Sequence, residues 1–125
     1  MPVVADKYRG SKAYHLVYSD LIHAAQHRGV IGYGEIARIM GLPPSGSHMA
    51  KESGQLLGEI AEDEHINGRP MLSAIVVDKK GKAGSGFFSL ARRLGKLQSS
   101  APEDEAAFWE REKAAAYAAW QPDLT

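Results

Sequence analysis

Apolar residues recur at helical spacing over three long segments and one short one. Tyr14, Val17, Tyr18, Leu21, Ile22 and Ala25 make one stripe, which predicts a first helix from near Ser11 that stops by Gly29. Val30-Ile31 reads as a short strand or extended lead. Residues 34–40 then form a short helix with Ile36, Ile39 and Met40 inward. Gly41 ends it and Pro43-Pro44 prevents its resumption. Ser45-Gly46-Ser47 is a turn, with Ser47 expected as the N-cap of a third helix. On that helix Met49, Ser53, Leu56, Leu57, Ile60 and Ala61 share a face, and Glu52, Glu59, Glu62 and Asp63 fall mostly on the others. Asn67-Gly68 stops it.

The run Met71 to Val77 is continuously apolar except for Ser73 and ends in β-branched residues, which predicts a buried strand. Residues 78–82 (Asp-Lys-Lys-Gly-Lys) form a polar turn. Gly84-Ser85-Gly86 leads into an extended piece at Phe87-Phe88, and Leu90, Ala91 and Leu94 suggest a short helix ending at Gly95. A last helix starts at Ser100-Ala101-Pro102-Glu103, which has capping-box spacing. Ala106, Trp109, Ala116, Tyr117 and Trp120 form its stripe, with Phe108 at the edge. The two tryptophans either pack across the core or present an aromatic contact surface.

The element order predicts an α+β, mostly helical fold: a single winged helix-turn-helix domain with a short β-hairpin and an added C-terminal helix. Residues 1–10 are read as a flexible N-terminus, 11–98 as the winged-helix-like domain, and 99–125 as a C-terminal amphipathic helix packed on it. A length of 125 residues suits one domain. There is no cysteine, which excludes disulfides, thiolate metal ligation and thiol nucleophiles. No run approaches ~18 apolar residues, so no membrane partner is expected. The opening residues have no apolar core of signal-peptide length, and the expected location is the cytoplasm.

The formal net charge is zero but unevenly placed. Residues 52–67 contain acidic side chains and no Lys or Arg; residues 68–98 carry Arg69, Lys79, Lys80, Lys82, Arg92, Arg93 and Lys96 against Asp78 alone. One basic face suited to phosphate is therefore available. Donors for DNA cluster at the start of the third helix (Ser45, Ser47, His48, Lys51, Gln55), with Lys79, Lys80 and Lys82 on the turn expected as the wing.

The stretch Val30-Ile31-Gly32-Tyr33-Gly34-Glu35-Ile36-Ala37-Arg38-Ile39-Met40-Gly41-Leu42-Pro43 resembles the V-x-Y-G-x-I-A-x-x-x-G-x-P stretch of the C-terminal domain of alkylguanine-DNA alkyltransferases and alkyltransferase-like proteins. By that resemblance Tyr33 lies at the DNA surface near an extruded nucleotide, and His48 or Lys51 stands nearest the arginine that the family inserts into the base stack. The family's Pro-Cys-His-Arg motif has no counterpart: the chain reads Pro70-Met71-Leu72-Ser73-Ala74. Alkyl transfer to a thiolate is excluded because the nucleophile is missing. Gly68-Arg69-Pro70 with residues 72–77, and Gly84 to Phe88, also resemble small bacterial proteins of unassigned function, which implies no activity.

The expected function is a non-catalytic, double-stranded-DNA-binding protein of winged-helix type, regulatory or damage-sensing, with no cofactor and no metal. One alternative is a protein-interaction module, homodimeric through the C-terminal helix. Another is a metal-dependent, nuclease-like enzyme using Glu62-Asp63-Glu64-His65 or the His48/Glu52 pair.

Overall fold

The computed structural model describes residues 3–122. In chain order these form α1 (Lys12–Gln26), β1 (Ile31–Gly32), α2 (Tyr33–Met40), α3 (Ser47–Ile66), a 3-10 turn (Leu72–Ile75), β2 (Val76–Val77), α4 (Ser85–Arg93) and α5 (Pro102–Ala119). The fold is mostly helical with a very small sheet, as the α+β reading expected.

Helix starts follow local chemistry. Ser11 caps α1, its hydroxyl accepting the Tyr14 N–H at 3.1 Å. Gly41 closes α2 in the left-handed region at φ 77°. Two cap assignments change. The cap of α3 is Gly46 at φ 103°, which leaves Ser47 as the first helical residue. The cap of α5 is Ala101, with Pro102 at the first helical position, where its missing N–H costs nothing.

The sheet differs from the hairpin expected. β1 and β2 run parallel, pairing Ile31 with Val76 and Gly32 with Val77. The helices α2 and α3 form the crossover that a parallel pair requires. Residues 71–77 are all buried, yet only Val76 and Val77 find a strand partner, because β1 is two residues long. The preceding four residues close into the 3-10 turn instead. After the polar turn the chain enters α4 at Ser85, so the segment expected as a second extended piece is helical and no hairpin forms among the described residues.

Two apolar clusters meet at the 3-10 turn. Val17, Leu21, Ile36, Leu56, Ile60, Leu72 and Ile75 join α1, α2 and α3. Val4, Met71, Phe87, Leu90, Phe108 and Trp109 join α4 and α5 to the other side. Each large aliphatic or aromatic side chain buried this way contributes about 1.5–3 kcal/mol. Trp109 is buried and donates its indole N–H to the Ala74 carbonyl at 2.8 Å. Phe108, expected at the helix edge, is buried, whereas Ala106 is exposed.

The largest difference concerns charge. The carboxylates of α3 expected on solvated faces are mostly inside: Glu52, Glu59, Glu62 and Glu64 are all buried. Their partners come from two ends. Residues 3–9, expected within a flexible N-terminus, lie docked along α3. Glu59 accepts the backbone N–H groups of Lys7, Tyr8 and Arg9 at 3.2, 2.9 and 2.8 Å. Arg9 reaches Glu62 at 2.7 Å and Asp63 at 3.1 Å. At the other end Glu64 takes Arg69 at 2.9 Å. Buried charge is tolerable here because each carboxylate is paired or accepts several N–H groups.

Candidate nucleic-acid interface

The N-terminal end of α3 is held by the tight turn after α2 and projects free of the core. Ser45, Ser47, His48 and Lys51 are all exposed there. Beside this tip the ends of β1 and β2 and the start of α4 enclose an open cleft of about 830 Å³. Tyr33, Ser45, Lys51 and Lys79 line it, so four of the residues singled out from sequence converge although they lie on four separate pieces of chain. Gly32, Gly34, Gly46, Gly54, Gly84 and Gly86 line it as well, so much of its wall is bare backbone.

The other singled-out residues divide. Ser47 and His48 stand on the tip but do not line the cleft. Lys80 and Lys82 are exposed on the polar turn. Their backbone N–H groups donate to Asp78 Oδ1 at 2.8 and 3.0 Å, and Gly81 at φ 76° allows the reversal. Those two N–H groups hold the Asp78 carboxyl below the usual carboxylate range, Lys82 contributing most. Gln55 is not available as a DNA donor: its amide nitrogen donates to the Ala5 carbonyl at 2.7 Å and to Glu59 at 3.0 Å. Among the described residues Lys51, Lys79, Lys80 and Lys82 have no salt-bridge partner.

Tyr33 stands at the floor of the cleft. Its hydroxyl lies where a side chain at Gly84 would sit, 2.9 Å from the position a Cβ would take. Burial pushes its pKa up, helped by the negative charge of Asp78. It is therefore a neutral donor at physiological pH.

The carboxylate cluster considered for metal chemistry is dispersed among structural partners. Glu62 and Asp63 face Arg9, and the Tyr14 hydroxyl donates to Asp63. Glu64 faces the opposite way, toward Tyr18, Arg69 and Trp120. Among the described residues no three His, Asp or Glu side chains converge as metal ligands would. The aromatic contact surface considered for α5 is taken up internally: Trp109 is buried, and Trp120 bonds Glu64 and lies under Arg69 at 5.1 Å.

One residue escaped the sequence reading. Ser73 is buried in the 3-10 turn and lines a second, smaller cavity on the other side of Tyr33. Its signal was a single hydroxyl inside an otherwise apolar run. No helix of the described residues is long and apolar enough to cross a membrane. No family model, curated protein or solved structure matches the chain.

Proposed function

We propose that this chain is a non-catalytic DNA-binding protein of winged-helix type. The N-terminal turn of α3 meets the duplex, Tyr33 stands beside it, and the lysine turn 78–82 takes the flanking backbone in place of a hairpin wing. The observation that carries this reading is the convergence of Tyr33, Lys51 and Lys79 on one open cleft, with lysines that have no internal partner. A second observation removes an objection. An acidic α3 would repel phosphate, but its carboxylates are turned onto residues 3–9 and Arg69, away from the tip.

The resemblance around residues 30–43 supports a damage-sensing version, in which Tyr33 lies near a distorted or extruded nucleotide. Few lysines are available, so about 3–5 phosphate contacts per chain are expected and the salt dependence is shallow. Fluorescence anisotropy at low salt on duplex, single-stranded and mismatched DNA tests the reading. Duplex binding that falls with salt and weakens in Lys51→Ala and Lys80→Glu supports it. Absence of salt-sensitive binding to every DNA form overturns it, and a preference for mismatched duplex separates damage sensing from simple regulation.

A further inference from the structure

Ser73 is 7% exposed, and its hydroxyl is the one buried side-chain polar atom among the described residues without a hydrogen-bond partner. A buried hydroxyl left unpaired is unfavourable, and alanine would remove that penalty without altering the turn. The residue lines a cavity of about 300 Å³, at the lower end of the range for small-molecule sites. Leu57, Phe87 and Leu90 give the cavity apolar walls.

The lining also states what charge the ligand carries. It contains no carboxylate, so a cation finds no counter-charge. Its one charged side chain, Arg93, is exposed at the rim and donates to the Val3 carbonyl, which leaves no fixed site for an anion inside. The wall on the α3 side is kept open by Gly54, where an added Cβ would meet no atom within 4 Å.

We propose that this cavity binds a small uncharged molecule with an apolar body and a carbonyl group, of the aromatic carboxamide class. Ser73 donates its hydroxyl proton to the carbonyl oxygen, and the body lies against Phe87 and Leu57. The site stands apart from the nucleic-acid reading, although Tyr33 and Gly54 line both hollows.

Benzamide titrated into the isotope-labelled full chain tests it by amide NMR, with no DNA present. Saturable shifts centred on Gly54, Ser73 and Gly86 are expected. Ser73→Ala should melt no lower than the parent and bind benzamide roughly tenfold more weakly, the loss of one hydrogen bond to a buried hydroxyl. Gly54→Leu fills the cavity from the α3 wall and should abolish saturation, with its melting curve showing the fold intact. No saturable shift, shifts centred elsewhere, or unchanged affinity in Ser73→Ala overturns the proposal.

Discussion

Trp120 donates its indole N–H to Glu64 at 3.0 Å, which ties the end of α5 to the last turn of α3 through a carboxylate with no solvent exposure. The same carboxylate takes Arg69 at 2.9 Å and the Tyr18 hydroxyl. One side chain thus joins α1, α3, α5 and the segment after α3.

Removing it should be costly. Glu64→Ala strips the partner from an indole, a phenol and a guanidinium at once. Arg69 can turn to water, so the expected loss is about 2–3 kcal/mol rather than the full cost of an orphaned buried ion. Urea unfolding checks the size, and the fluorescence of Trp120 should report the changed surroundings even before unfolding. A loss well under ~1 kcal/mol would show that the junction contributes little.

Alkaline pH should unfold the chain. The hydroxyls of Tyr8, Tyr14 and Tyr18 donate to Glu52, Asp63 and Glu64. Burial first, and then those carboxylates, raise all three phenols above their ordinary value of 10.0, Tyr8 to about 12. A group whose folded pKa is raised gives stability that is whole below the unfolded value and is lost as pH climbs past it. Stability should therefore hold up to about pH 10 and fall above it. Circular dichroism and tyrosinate absorbance followed together should change in one transition; tyrosinate appearing well before unfolding would contradict the reading.

On the acid side Glu52 shows the opposite sign. Lys7 at 2.6 Å and the Tyr8 hydroxyl hold its carboxyl below 4.5. Its contribution is present above that value and is lost as pH falls below it. The difference in melting temperature between the parent and Glu52→Gln should therefore shrink as pH falls from neutrality through 4.5.

Two glycines should respond in opposite ways. Gly54 sits inside α3 with open space at its Cβ position, so Gly54→Ala should stabilise by about 0.8–1 kcal/mol through helix propensity. At Gly84 an added Cβ would come 2.9 Å from the Tyr33 hydroxyl, so Gly84→Ala must displace that ring. On the proposed function it should weaken duplex binding while the far-UV spectrum stays unchanged. Full binding in a folded Gly84→Ala would remove Tyr33 from the interface.

Much of the helical framework was legible from spacing and punctuation. The stripe from Tyr14 to Ala25, the Gly41 and Pro43-Pro44 stop and the Asn67-Gly68 stop are local signals, each acting within one or two turns of chain. They also placed Ser45, Ser47, His48 and Lys51 at an exposed helix tip, because the tip is defined by the turn before it.

Three-dimensional packing alone settled the rest. Periodicity marks Glu52, Glu59, Glu62 and Glu64 as polar, but polarity says outside only when no partner waits inside. Residues 3–9 and Arg69 supply those partners from distant parts of the chain. The direction of β2 likewise depends on α2 and α3 crossing between the strands, and the convergence of Lys51 with Lys79 and Tyr33 depends on that same crossing. Local preference acts over a few residues, whereas pairing of charges and strands is decided by which distant segments the core brings into contact.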